Sequence, residues 1–116
     1  MDKKPRLDSP LTLPCGAVIP NRLVKAAMTE GLATMTGIPT PELERLYGQW
    51  SDGGAGVLIS GNVQIDSQHL EQPGNVLIDG EPGDGLKPAL ARWAGAATRG
   101  GHHFWAQISH AGRLTR

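Results

Sequence analysis

The sequence predicts an α/β fold built around a parallel sheet. Two segments with helical periodicity alternate with apolar segments of strand length, in the order hairpin, strand, helix, strand, helix, strand. The 16 glycines and 9 prolines fall mostly at the ends of these segments, as expected for tight turns. The 116 residues can bury one modest core, so a single domain is expected.

The first third of the chain predicts a hairpin and one strand. Residues 1–10 are expected to be a flexible lead, and residues 11–19 alternate apolar residues around a Pro-Cys-Gly turn, which is typical of a small hairpin. The apolar segment "RLVKAAMT", residues 22–29, predicts the first parallel strand. A Gly-rich loop of about ten residues follows it and is longer than most strand-to-helix connections, which is common where loops carry function.

The first helix has clear signals at both ends. Thr40 can cap it, Pro41 fits its first position, and Gly53 follows it as a stop. Apolar residues recur along one face, namely Leu43, Leu46, Tyr47 and Trp50. The spacing predicts a helix with one buried face.

The rest of the chain predicts strand, helix and strand. The continuous apolar run "VLISGNV", residues 57–63, is typical of a strand covered on both faces, and a polar Gly/Pro-rich loop spans about 64–82. The second helix is expected from near Asp84 to Arg99, before a Gly-Gly stop. The stretch "FWAQISHAGR", residues 104–113, predicts a third, buried strand.

Each predicted parallel strand ends in hydrogen-bonding side chains. Thr29, Asn62 and Gln107 lie near the three carboxyl ends, which meet at one edge of a parallel sheet whether it is open or closed into a barrel. The Gln107 amide both donates and accepts, so a flat polar heterocycle would satisfy it. These groups could equally be polar because strand ends meet water.

The composition excludes several classes of protein. Eleven basic and eleven acidic side chains give no net charge and no run of one sign, so nucleic acid and anionic membranes are not expected partners. A single cysteine and no signal-peptide pattern favour the reducing cytoplasm. No apolar run approaches the roughly 20 residues that cross a bilayer.

Four other motifs are considered as functional sites, and each is weak evidence for one. "DGGAGV" at 52–57 precedes a strand, the reverse of a phosphate-binding loop. Adjacent Ser109 and His110 point to opposite faces of an extended segment, and no carboxylate is placed by the sequence to orient the imidazole. Of the histidines at 69, 102, 103 and 110, His102 and His103 lie at the amino end of the third predicted strand and His110 at its carboxyl end, so no metal site is expected. Cys15 is expected to be a small packed residue.

Several of these segments resemble a known family. "NRLVKAAMTEGLA", "GAGVLISGNVQID" and "FWAQISHAGR", preceded by "LTLPCGAVIPNR", are similar to the amino-terminal part of the Old Yellow Enzyme family of FMN-dependent NAD(P)H:flavin oxidoreductases and ene-reductases. The resemblance covers the chain from about Leu11 to Arg113. "QISHAGR" matches the family segment Q-x-x-H-x-G-R, which is the most specific of these motifs.

The resemblance implies a fold and a cofactor site. Residues 1–116 would be the amino-terminal portion, a hairpin plus β-α-β-α-β, of a single FMN-binding TIM (β/α)₈ barrel, incomplete in itself, with the hairpin closing its bottom. The residues implied to contact FMN are Ala26, Ala27, Met28, Thr29, Asn62 and Gln107. Among them Thr29 would reach the flavin O4 and Gln107 the pyrimidine edge, while Asn62 stands where the family usually has a small residue.

The implied activity is hydride transfer from NAD(P)H through FMN to an α,β-unsaturated small molecule. The family's substrate-holding His/Asn pair, its proton-donating tyrosine and its phosphate loops are expected beyond residue 116, so no catalytic residue is assigned here and this portion alone is expected to be inactive. Two alternatives remain open. The chain could be a flavin-binding or scaffold module completed by another chain, for example in an oligomer, or a non-functional remnant.

Overall fold

The computed structural model of the protein describes residues 4–115, so residues 1–3 of the predicted flexible lead lie outside it. The elements are β1 Leu11–Thr12, β2 Val18–Ile19, β3 Val24–Lys25, α1 Pro41–Asp52, β4 Val57–Gln64, β5 Val76–Leu77, α2 Leu86–Thr98 and β6 His103–Ser109, with a short 3₁₀ turn at Gly112–Leu114. The predicted order of hairpin, strand, helix, strand, helix and strand is confirmed.

The sheet is parallel, with β4 at its centre. β6 runs along one edge of β4 from Val57 to Gln64. β3 and β5 pair with residues at the two ends of β4, and these residues also pair with β6. β3 and β5 therefore both lie along the opposite edge of β4. β5 was not expected, since its two residues lie inside the segment predicted as a loop.

Both helices cover one face of this sheet. α1 begins as predicted, because the Thr40 side chain accepts a hydrogen bond from the Leu43 backbone N–H at 3.2 Å and Pro41 follows it. α2 begins at Leu86, two residues later than expected, because Gly85 has a left-handed φ of 89° that no helix residue can adopt. The core between helices and sheet contains Leu43, Tyr47, Leu58, Val63, Val76, Trp93 and Ala97.

The β1–β2 hairpin lies at the amino-terminal edge of the sheet. The His103 Nε2–H donates to the Val18 carbonyl at 2.9 Å, and the Asn21 side chain binds the backbone of Gly54 and Gly56. The expectation of a packed Cys15 is wrong. Its side chain is exposed, because nothing covers the turn: the space around the neighbouring Gly16 is open to 4 Å.

β6 is less buried than predicted. Phe104 packs on the helices, but most of the strand is exposed, since only β4 pairs with it among residues 4–115. Neither helix in this part of the chain is long and apolar enough to cross a bilayer.

Candidate functional site

The carboxyl ends of β4 and β6 bring two predicted site residues side by side. Asn62 and Gln107 are register partners on the neighbouring strands. Val63 packs in the helix-covered core, and successive side chains of a strand alternate between faces, so Asn62 lies on the opposite, helix-free face. Phe104 packs against the helix-covered core, so the same alternation along β6 places Gln107 on the helix-free face as well.

A β-bulge in β4 makes this arrangement possible. Ile59 pairs with Trp105, and Asn62 pairs with Gln107. β4 has two residues between these pairs, whereas β6 has one. Without that extra residue, simple alternation from the core residue Leu58 would turn Asn62 toward the helices. The bulge therefore redirects the Asn62 amide to the helix-free face.

The bulge also anchors the backbone of Gln107. The Gln107 N–H donates to the Ser60 Oγ at 3.0 Å, and the Ser60 hydroxyl donates to the Gly61 carbonyl at 2.9 Å. Ser60 is fully buried, whereas Gln107 is exposed. Within residues 4–115 the Gln107 side-chain amide makes no hydrogen bond, so both of its groups are free for a ligand.

The segment after β3 completes the edge. The Asn62 Nδ2 donates to the Thr29 Oγ1 at 3.0 Å, so all three predicted polar residues lie together. We call Thr29, Asn62 and Gln107 the polar rim. Met28 is half-exposed, and its carbonyl approaches Gly61 so closely that a Cβ added at Gly61 would lie 2.2 Å from it.

The other two predicted contacts, Ala26 and Ala27, lie between β3 and this segment. Ala26 is exposed and Ala27 half-buried. Their short side chains leave their backbone as the available contact surface.

A carboxylate beside the polar rim was not predicted. The Glu71 Oε2 lies 3.4 Å from the Asn62 Nδ2, 3.5 Å from the Thr29 hydroxyl and 3.2 Å from the Asn75 Nδ2. Glu71 lies in the long loop after β4, where sequence periodicity is silent. No sequence pattern therefore indicates this residue, and only the structure shows the buried Asn75 beside it.

A hydrogen-bonded group under the bulge holds Gly61 from the helix side. The Gly61 N–H is shared by the Tyr47 hydroxyl and the Glu30 carboxylate, each at 3.2 Å, and Tyr47 donates to Glu30 in a short hydrogen bond. Burial, followed by the bond to Glu30, raises the pKa of Tyr47 well above its ordinary range. Burial lowers the pKa of the neighbouring Lys25, whose ammonium lies 3.4 Å from the Tyr47 oxygen.

A second group of polar side chains lies at the same end of the sheet. The Asp66 Oδ2 contacts the His69 Nδ1 at 2.7 Å and the His110 Nε2 at 3.2 Å. The expectation that no carboxylate orients His110 is therefore wrong, because the loop after β4 folds back onto the end of β6. The pKa of Asp66 is lowered to about 2, first by the Gln68 backbone N–H and then by His69.

Comparisons with known proteins identify relatives of this arrangement. No family model matches the chain. It is 36% identical over 105 residues to the NADH-dependent flavin oxidoreductase iliE of Hypocrea jecorina, a match that covers 90% of this chain and 26% of that protein. It is 39% identical over 109 residues to the NADH-dependent flavin oxidoreductase nadA of Aspergillus parasiticus, covering 83% of this chain and 24% of that protein.

The structural comparison agrees with the curated relatives. The old yellow enzyme homologue from Zymomonas mobilis superimposes with a TM-score of 0.78 and 27% identity, over 91% of this chain and 28% of that one. The chain resembles Old Yellow Enzyme homologues over nearly its whole length. Morphinone reductase shares the fold at a TM-score of 0.82 and 24% identity, over 98% of this chain and 29% of that one.

The predicted fold class is thereby confirmed as part of an Old Yellow Enzyme barrel, and no closed barrel is formed by the described residues. The chain spans only about a quarter of the curated relatives it matches. These curated relatives are oxidoreductases by name, whereas the activity, substrates and partners of the whole protein that carries this chain are matters of proposal.

Proposed function

We propose that this chain contributes the flavin-contacting edge of an FMN-dependent oxidoreductase that takes hydride from NAD(P)H and delivers it to an activated alkene. The names of the curated relatives support the flavin and NADH. The observation that carries the proposal is the bulge in β4, which brings Asn62 beside Gln107 on the helix-free face.

The chemistry of the polar rim fits FMN. The pyrimidine edge of a flavin presents carbonyl acceptors on both sides of an N–H donor, and a glutamine amide offers one acceptor and two donors. The unpaired, exposed Gln107 amide can match that edge. The Asn62 amide and the Thr29 hydroxyl, already bonded to each other at 3.0 Å, add a donor and an acceptor beside it.

Each part of the chain has its own task in this proposal. Gln107 binds the ring edge, Asn62 holds the Thr29 hydroxyl in place, and the backbone of 26–28 lines the ring. FMN, when bound, supplies the hydride chemistry, and the protein supplies orientation and electrostatics. We assign no proton-transfer residue within 4–115.

Titration of the purified protein with FMN, followed by quenching of flavin fluorescence, tests the site. Gln107→Ala is expected to weaken FMN binding by about tenfold, because one or two hydrogen bonds of about 1 kcal/mol each are lost. Gln49→Ala is the matched control, since it removes an exposed amide from α1, far from the polar rim in the sheet topology. Equal affinities for FMN in the two variants would refute the assignment of Gln107.

The redox part of the proposal has a separate test. Under anaerobic conditions NADH or NADPH should bleach the yellow absorbance of FMN bound to the whole protein that carries this chain, and an α,β-unsaturated ketone should restore it. Bleaching without restoration would keep the flavin site but reject alkene reduction. A cytoplasmic location stays a prediction.

A further inference from the structure

Three side chains at the carboxyl end of the sheet have the composition of a metal centre. Asp66, His69 and His110 each offer one ligand atom, and these atoms all lie within 4.8 Å of one another. We propose that they bind a divalent transition-metal ion, with Zn²⁺ as the reference ion. This proposal does not depend on the proposed flavin site.

The fold, not the sequence spacing, assembles the three residues. Asp66 follows the end of β4 by two residues, and His110 directly follows the end of β6. These parallel strands are neighbours, so their carboxyl ends meet at one edge. His69 joins them through a turn in which its backbone N–H donates to the Asp66 carbonyl at 3.1 Å.

The ligand set suits zinc better than the hard cations. Imidazole nitrogen and carboxylate oxygen are common zinc ligands, whereas Mg²⁺ and Ca²⁺ prefer oxygen alone. Zn–N and Zn–O bonds of about 2.0–2.2 Å place neighbouring ligand atoms of a tetrahedron about 3.3 Å apart. Asp66 Oδ2 lies 2.7 Å from the His69 nitrogen and 3.2 Å from the His110 nitrogen, near that spacing, and all three ligand atoms lie within 4.8 Å of one another.

The site is open on its solvent side. The side chains of Asp66, His69 and His110 are 34%, 51% and 44% exposed. Three protein ligands leave one tetrahedral position for water or another small ligand, as in open zinc centres. A polar second group supports the carboxylate, because the Gln68 N–H donates to the other Asp66 oxygen at 2.9 Å.

Metal binding has a specific structural consequence at His110. Without metal, the His110 Nδ1 accepts a hydrogen bond from the Gly112 N–H at 2.9 Å, so the ring proton is on the Nε2 that faces Asp66. Coordination through Nε2 moves that proton to Nδ1 and breaks the bond to Gly112. The Gly112 amide is therefore a reporter of occupancy.

Competition of the full chain against a fluorescent zinc indicator, with Zn²⁺ as the only added metal, tests the proposal. One equivalent of Zn²⁺ should bind, and His69→Gln and His110→Gln should each weaken it by more than about tenfold, since loss of second-shell partners alone costs that much. His103→Gln is the matched control, because His103 lies at the opposite end of β6 and bonds the hairpin.

Two results would overturn the metal site. One is the absence of stoichiometric Zn²⁺ binding to the unaltered chain. The other is binding that His69→Gln and His110→Gln weaken no more than His103→Gln does. In the expected case, the amide resonance of Gly112 shifts on addition of Zn²⁺ to the unaltered chain and stays unchanged in His69→Gln at the same concentration.

Discussion

At the scale of single residues, Gly61 is the most constrained position near the candidate site. An added Cβ would lie 2.2 Å from the Met28 carbonyl oxygen and 2.3 Å from the Glu30 carboxylate. The first of these is backbone, which cannot move away as a flexible side chain can. The bulge in β4 thus depends on a residue without a side chain, although the φ of Gly61 is not in the left-handed region.

We expect Gly61→Ala to lower the free energy of unfolding by about 1–3 kcal/mol, the usual range for overpacking a filled site. Urea denaturation followed by circular dichroism measures this change. Gly83→Ala is the control, since the space around Gly83 is open to 4 Å and its φ is not positive. An unchanged urea midpoint in Gly61→Ala would mean that the approach of Met28 is looser than described.

Tyr47 connects the core to the same bulge. Its ring is fully buried and packs edge-on against Trp93 at 5.3 Å, while its hydroxyl contacts Glu30 and the Gly61 N–H. Tyr47→Phe keeps the ring and removes the hydroxyl. The free energy of unfolding should fall by about 1–3 kcal/mol, because the buried partners lose a hydrogen bond.

The same variant should also weaken the site above the bulge. Loss of the hydroxyl removes one of the two acceptors of the Gly61 N–H, next to Asn62 in the chain. FMN titration of Tyr47→Phe, compared with Gln49→Ala, measures this effect. An unaltered urea midpoint together with unaltered FMN affinity would show that the hydroxyl contributes nothing.

At the scale of elements, the two helices are tied together at their carboxyl-terminal ends. Arg99, just after α2, donates to the Asp52 carboxylate at the end of α1 through Nε at 2.9 Å and Nη2 at 2.5 Å. This hydrogen bond to Arg99 holds the pKa of Asp52 below its ordinary value of 3.8. The pair is exposed, so its contribution depends on pH and salt.

A carboxyl group whose pKa is lower in the folded state stabilises the fold above its unfolded pKa, and that stabilisation is lost as the pH falls through the folded value. Asp52→Asn should therefore lower the urea midpoint at neutral pH, and this difference should disappear as the pH falls below the folded-state pKa of Asp52. Arg99→Gln should reproduce this pattern, and the double variant should be no less stable than either single one. A difference that persisted at low pH would assign the effect to packing.

At the scale of the whole molecule, β6 has a free outer edge among the described residues, and several apolar side chains of the sheet are exposed. Ile108 is 60% exposed, Trp105 42% and Val24 54%. A strand with a free edge and apolar side chains is a ready site for pairing with another chain. This exposure favours the alternative in which a second chain, or further sequence, completes the sheet.

We expect the 116-residue chain by itself to associate with increasing concentration, as measured by light scattering after size-exclusion chromatography. Ile108→Lys should shift the distribution toward the monomer, because a charge on an edge strand opposes strand pairing. Lys87→Ile on α2, an exposed helix position, is a control for added or lost charge in general. A chain that stays monomeric at every concentration would argue against pairing through β6.

The sequence by itself determined the order of elements, both helices and the three polar residues of the rim. These follow from short-range physics: Thr40 and Pro41 define a helix start within four residues, and apolar periodicity shows which face is buried. The family resemblance added the barrel and the flavin contacts. The FMN titration of Gln107→Ala tests how far those contacts apply to this chain.

Only the tertiary structure decided which side chains meet. The bulge at Ser60 and Gly61 reverses the facing of Asn62. A glycine inside "VLISGNV" is compatible with a bulge, but the groups that contact it, the Met28 carbonyl and the Tyr47 hydroxyl, come from distant parts of the chain. The group of Asp66, His69 and His110 spans 44 residues between its first and last members. Such contacts depend on how two loops leave neighbouring strands, which local propensity does not encode.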